Sequence, residues 1–230
     1  MNKNSFPTAL TIAGTDPSGG AGIMADLKSF QARQVYGMAA VTSVVAQNTK
    51  GVRLIQNVDL EMLEAQLACV FEDIPPLALK TGMIPNVDMM RIIRKYVDGS
   101  VPYVMDPVMV ATSGDHLIDA QARDQFKAEL MPVATLVTPN LSETEYLVGF
   151  AIESESDVKK AAQFVLNEMG PKALLSKAAI SAKQRRIICI LKVKNSLPLK
   201  VHAMIRQIPM ARVARSPLSS RRNLLKVNLW

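Results

Sequence analysis

Residues 10–26 read L-T-I-A-G-T-D-P-S-G-G-A-G-I-M-A-D, an apolar β-prone run that breaks into a glycine-rich loop and re-forms as a helix. The strand signal covers residues 9–13 and stops at Gly14; Asp16, Pro17, Ser18, Gly19, Gly20 and Gly22 make the loop. Ile23, Leu27 and Phe30 then recur at helical spacing. A strand passing through so little side chain into a helix reads as a βα junction. It also lets backbone N–H groups approach a ligand at the positive end of a helix dipole. Asp26 lies one helical turn beyond Gly22 and can face the same cleft. Glycine spacing alone fits a tight βα turn equally well. The stretch matches neither the Walker phosphate loop, which needs G-K-[ST], nor the dinucleotide pattern G-x-G-x-x-G.

The strand–helix rhythm continues downstream. Residues 38–47, M-A-A-V-T-S-V-V-A-Q, read as one strand buried on both faces and ended by Gln47, Asn48 and Thr49. Helical patterns over 61–71, 87–97, 120–130, 142–147 and 157–169 alternate with strands expected at 77–83, 101–109 and 134–140. A sixth strand begins at 172–175. Such alternation implies a mostly parallel central sheet with helices on both faces. Ligands bind outside the C-terminal strand ends of such sheets, and those ends carry Gly14, Gln47, Met83, Asp106 and Asn140. A sheet serving structure alone has no need of polar or glycine residues at four of five consecutive strand ends.

Composition narrows the setting. With 49% hydrophobic and 20% charged residues among 230, the chain reads as globular and is long enough for one sizeable α/β domain or two small ones. No apolar run approaches the roughly 20 residues that span a bilayer, and the N-terminal residues enter a strand without a signal-peptide core. Two cysteines, Cys69 and Cys189, form no framework, which points to a reducing cytoplasm. The histidines, His116 and His202, are too isolated for a zinc site. The net charge of +7 is unevenly placed: all 20 acidic residues lie within 1–172, whereas 173–230 carry 13 Lys and Arg and no acidic residue. Such a tail invites comparison with a nucleic-acid arm, a reading set against a different one below.

Taken together, A-L-T-I-A-G-T-D-P-S-G-G-A-G-I-M-A-D-L-K, V-V-A-Q-N-T, K-T-G-M-I, D-P-V-M and V-T-P-N-L-S-E-T-E stand in an order and spacing that resemble one family. It is that of the hydroxymethylpyrimidine/phosphomethylpyrimidine kinases of thiamine biosynthesis, in the ribokinase-like superfamily, and the resemblance covers about residues 9–172. It implies ATP-dependent phosphorylation of 4-amino-5-hydroxymethyl-2-methylpyrimidine and of its monophosphate, with Mg²⁺, in the cytoplasm, with no nucleic-acid or membrane partner and with a homodimer left open. It implies that Gly14, Asp26, Val45, Gln47, Met83 and Val108 hold the pyrimidine. The residue types suit this: a carboxylate and a carboxamide can pair with ring nitrogens and an exocyclic amine, while Val and Met enclose the ring face. Asn140 and Glu143, matching N-x-x-E, are implied to organise Mg²⁺ largely through water, with Asp106 ordering metal and phosphates. On their own, residues 140–143 read as a helix start with an acidic first turn. Pyridoxal or pyridoxine kinase is the alternative, since the same fold and similar motifs serve both heteroaromatic alcohols. A non-catalytic pyrimidine-binding remnant is a third.

The family also uses a late G-T-G-C or G-A-G-D loop for the anion hole and base, and a Lys-Gly-Gly after the sixth strand. This chain has neither: no glycine follows Gly170 and no acidic residue follows Glu168, so no catalytic residue is assigned. A shift of reading frame accounts for the loss. Read two bases later, codons compatible with residues 210–230 permit G-T-G-C-T-F-S-A-V-I-T-A-E-L-A-K-G-K-P-L, and those for 176–181 permit K-G-G-H-L. Two family motifs then stand in one alternative frame, and Lys177 is not equated with the family's lysine. The expected division is an α/β core over 1–172 and a basic, glycine-free, out-of-frame tail over 173–230.

Overall fold

The structure is a computed structural model that describes residues 6–108, 120–179, 187–193 and 200–204. Its centre is an eight-stranded sheet in the order β10-β9-β8-β7-β6-β5-β1-β2. The strands are β1 (Thr8–Ala13), β2 (Tyr36–Val41), β5 (Ala78–Thr81), β6 (Tyr103–Met105), β7 (Leu136–Val137), β8 (Ala173–Ala179), β9 (Ile187–Val193) and β10 (Lys200–Met204). Every pair from β2 through β8 is parallel, and β9 and β10 are added antiparallel.

β1 lies between β2 and β5, so its side chains go to two covered faces. Leu10 and Ile12 join one hydrophobic core with Leu63 and Leu67 of α2 (Leu60–Asp73) and Met90 and Ile93 of α3 (Val87–Tyr96). Thr11, on the opposite face, meets α1 (Gly22–Ala32) through Asp26. Helices therefore cover both faces of the sheet, as the alternation implies. Beyond α4 (Ala120–Glu129), α5 (Leu141–Val148) and α6 (Glu155–Glu168) pack against β8. Asp59, Asn86 and Ser154 begin their helices by accepting backbone N–H bonds from Met62, Met89 and Asp157.

The second expected strand is corrected. The run over 38–47 is two strands, because the chain turns out of the sheet at Thr42. Thr42 Oγ1 donates to the Met83 carbonyl at 2.8 Å, and Ser43 Oγ donates to Asn57 Oδ1 at 2.9 Å. Those bonds anchor β3 (Ser43–Asn48), which pairs antiparallel with β4 (Gly51–Asn57) in a separate two-stranded arm. Gln47 and Val45 thus stand on an arm, not on a C-terminal end of the parallel sheet. β3 alternates buried and exposed residues, with Val44 exposed and Val45 buried, so it is not covered on both faces.

The sheet also runs past residue 172. β8 continues the parallel order and β9 and β10 extend it, although no helix is described between them. Met109 and residues 210–230 lie outside the described residues.

Candidate active site

The loop after β1 is organised by a carboxylate. Asp16, only 3% exposed, accepts from the backbone N–H of Ser18, Gly20 and Ala21 at 2.9, 3.0 and 2.8 Å, and from Ser18 Oγ. Burial pushes its pKa up, but the bonds from Ser18, Gln47 and the loop backbone outweigh this and hold it below the ordinary 3.8. Ala21, which precedes α1, offers no capping side chain. Asp16 therefore fills the place at the helix N-terminus where the glycine pattern alone suggests a ligand.

Gly22 shows why glycine is required. Its φ is +55°, and a Cβ there would collide with the Gly14 carbonyl oxygen. That oxygen accepts the Ile23 N–H at 3.0 Å, which pins the first turn of α1 to the end of β1.

Gly14, Val45 and Met83 converge. A Cβ on Gly14 would lie 2.7 Å from Met83 Cε and 3.6 Å from Val45 Cγ2. The arm is tied to the same spot: Thr15 N–H donates to the Ser43 carbonyl at 2.9 Å, and Thr15 Oγ1 accepts the Val45 N–H at 2.8 Å. The result is an apolar wall with a bare backbone beneath a flexible thioether. The ladder between β3 and β4 shifts register at Ala46/Gln47, a local irregularity that re-aims the residues after it. The Gln47 side chain lies beside Asp16 and favours its charged form.

Asp26 lies on the sheet side of α1. Its Oδ2 accepts from Thr11 Oγ1 at 2.6 Å and from Lys80 Nζ at 2.8 Å. Its described contacts are with these two residues rather than with Gly14, Val45 or Met83. Sequence reasoning placed Asp16 in the loop and Lys80 near a strand end without giving either a site role, and it did not single out Thr11 or Thr15. The available signal was their position: each is a polar group in or beside an otherwise apolar strand.

The acidic positions stand at the neighbouring strand ends. Thr138 follows β7, and its Oγ1 donates to Asp106 Oδ1 at 3.2 Å across the β6–β7 pair. Val108 sits two residues beyond Asp106, its N–H donating to the Asp106 carbonyl at 2.8 Å. Asn140 and Glu143 close a reciprocal capping box on α5: Asn140 Oδ1 accepts the Glu143 N–H at 2.9 Å, and Glu143 Oε2 accepts the Asn140 N–H at 2.8 Å. The helix start legible in residues 140–143 is thus realised. Thr144 links this turn to the buried Ser176 of β8 at 3.3 Å. Among the described residues, no cluster of three or more His, Cys, Asp or Glu side chains is arranged to hold a metal. None of the described helices is long and apolar enough to cross a membrane.

Residues 16–201 match the phosphomethylpyrimidine kinase family model. A hydroxymethylpyrimidine/phosphomethylpyrimidine kinase of Staphylococcus aureus strain Mu50 is 50% identical over 175 residues, 75% of this chain and 63% of its own length. The chain thus spans less than two thirds of that relative. The crystal structure of phosphomethylpyrimidine kinase from Clostridium difficile 630 has a TM-score of 0.77 at 38% identity, covering 86% of this chain and 84% of its own. A Staphylococcus aureus pyridoxal kinase in complex with AMP-PCP also reaches 0.77, at 30% identity, over 88% of this chain and 74% of its own.

Proposed function

The chain belongs to the phosphomethylpyrimidine kinase family, with its ribokinase-like fold, and from that membership we propose that it is built to phosphorylate the hydroxymethyl group of an aminopyrimidine, and then the monophosphate, at the expense of ATP. The observation that carries the reading is the meeting of Gly14, Val45 and Met83. A flat ring needs an apolar wall without protruding Cβ atoms, and a methionine that can swing over its face. Asp26 and Gln47 supply polar edges to either side, and Val108 belongs to the same proposed pocket. Ring and polar groups together favour a heteroaromatic alcohol over a sugar.

The donor set fits Mg²⁺ in a water-mediated arrangement. Asp106 and Glu143 offer hard carboxylate oxygens at adjacent strand ends, with the Asn140 amide beside them. When bound, the ion neutralises charge on the nucleotide's phosphates. The residues themselves hold the rim: Asn140 and Glu143 fix the start of α5, and Thr138 orients Asp106.

The tail over 173–230, with no glycine, supplies no anion-hole loop, so the chain as written binds its pyrimidine better than it transfers phosphoryl. We attribute this to a shift of frame near residue 175 and place the protein in the cytoplasm, with no nucleic-acid or membrane partner; the assembly is left open between a monomer and a homodimer. Isothermal calorimetry with the aminopyrimidine alcohol and with pyridoxal tests the reading. The aminopyrimidine binds more tightly, and Asp26→Ala or Gln47→Ala weakens it by about 1–3 kcal/mol. Preference for pyridoxal would move the assignment to the second family of vitamin kinases.

A further inference from the structure

Thr11 and Lys80 are direct partners across the parallel β1–β5 pair, so their side chains leave the same face of the sheet. That face is covered by α1, and both donors end on one oxygen, Oδ2 of Asp26. Thr11 is fully buried, and the Lys80 and Asp26 side chains are 23% and 16% exposed. A lysine in a four-residue strand of a central sheet is unusual. Nothing about packing asks for an ammonium there. The Lys80 ammonium passes beside Gly82, where a Cβ would stand 3.6 Å from Nζ in ordinary contact, on its way across to α1. No described residue donates to Oδ1 of Asp26.

We propose that Lys80, aided by Thr11, is a positioning residue that fixes the Asp26 carboxylate through Oδ2 and leaves Oδ1 aimed as an acceptor for a substrate N–H, so that the site selects heteroaromatic alcohols carrying an amino group. This rests on the pyrimidine reading of the site. The physical argument is one of commitment. A carboxylate is acceptor-only, and a carboxylate free to rotate presents either oxygen at a cost in side-chain entropy when a ligand binds. With two donors on Oδ2, the rotamer is set before the ligand arrives. The ammonium also balances the carboxylate's charge, so the pair favours a neutral amino heterocycle and does not demand a cation. A ligand lacking the amino group leaves Oδ1 desolvated and unpaired, which is the form of discrimination that a built hydrogen-bonding site does best.

The test uses the full chain and two probes: 4-amino-5-hydroxymethyl-2-methylpyrimidine and the same compound without its amino group. Affinities are measured by calorimetry for wild type, Lys80→Met, Thr11→Val, Asp26→Ala and the Lys80→Met/Asp26→Ala double variant, with cooperative thermal unfolding verified for each. Lys80→Met is expected to weaken the amino compound about tenfold and the des-amino compound hardly at all. Thr11→Val, nearly isosteric, shifts the ratio in the same direction and carries the test if Lys80→Met does not fold. In the Asp26→Ala background, Lys80→Met adds no further loss, because the lysine acts through Asp26. Equal loss of both probes would reduce Lys80 to a structural anchor and overturn the proposal. An undiminished lysine effect without Asp26 would overturn it as well, by making Lys80 a direct contact. Wild type that binds neither probe would overturn the pyrimidine reading itself, whereas wild-type selectivity kept in both single variants would overturn only the role of Lys80.

Discussion

Asp16 replaces a ligand with a side chain. Its carboxylate gathers three loop N–H groups and one hydroxyl, and the Gln47 side chain beside it also favours the charged form. Asp16→Ala is expected to cost about 1–3 kcal/mol of stability, because several part-buried loop donors lose a charged partner at once. Urea unfolding measures it. The pH dependence follows from the depressed pKa. The unfolded chain binds a proton to this carboxylate more readily than the native one, so the stabilisation is complete above 3.8 and disappears as pH falls through the lower native value. The stability gap between wild type and Asp16→Asn therefore closes in acid, and a gap constant from neutral pH down to that range would contradict the assignment. The role of Asp16 was hard to see in the sequence for a simple reason: Asp-Pro-Ser-Gly-Gly reads as a turn, and a turn does not announce where its carboxylate will point.

Among the elements, the arm of β3 and β4 and the start of α5 divide what the sequence disclosed from what it withheld. Hydrophobic alternation placed β1, α1, α2 and α3 to within a few residues, since long periodic segments carry their own signal. The apolar run over 38–47 concealed a break, because Thr42 and Ser43 are as β-prone as their neighbours. The turn is caused by side-chain bonds to Met83 and Asn57, residues 41 and 14 positions away. No local pattern contains that information. Strands β6 and β7, of three and two residues, were expected longer because apolar flanks prolong the pattern beyond the ladder. Val45 was nevertheless named from the sequence through the family motif, and Gln47 both as the end of the expected strand and through that motif. The α5 capping box was legible as a helix start, and it allows the cap to be separated from the metal. Asn140→Ala should lower stability by about 1 kcal/mol by leaving the Glu143 N–H without its acceptor, while Asn140→Asp keeps the cap. Chemical denaturation reads the first effect. Mg²⁺-dependent nucleotide affinity reads the second, and should fall in Glu143→Gln even where melting barely changes.

On the scale of the molecule, the sheet is continuous while the chemistry is not. From β2 to β8 a parallel order builds one rim, with the proposed ring pocket near β1 and β5 and the carboxylates near β6 and β7. Phosphoryl transfer also needs preorganised donors around the moving group, because positioning and charge stabilisation supply most of the acceleration. A helix N-terminus with glycine before it is the usual source, and just ahead of α1 the Gly20 and Ala21 N–H groups are already taken by Asp16. No glycine beyond Gly170 remains to make another. The two halves of the function should therefore separate. Expressed beside a version whose frame is shifted from about residue 175, the chain as written is expected to bind the aminopyrimidine within a few-fold of the restored protein. Its ATP-dependent turnover should be lower by at least about 10²–10³, the effect of removing a single oxyanion donor. Steady-state phosphorylation and calorimetry on the same two preparations measure both quantities. Equal turnover would mean that a base and an anion hole exist within the basic tail, and the proposed shift of frame would have to be abandoned. Equal loss of binding and turnover would instead place the defect in folding of the whole sheet, for which the melting temperatures of the two proteins give the direct check.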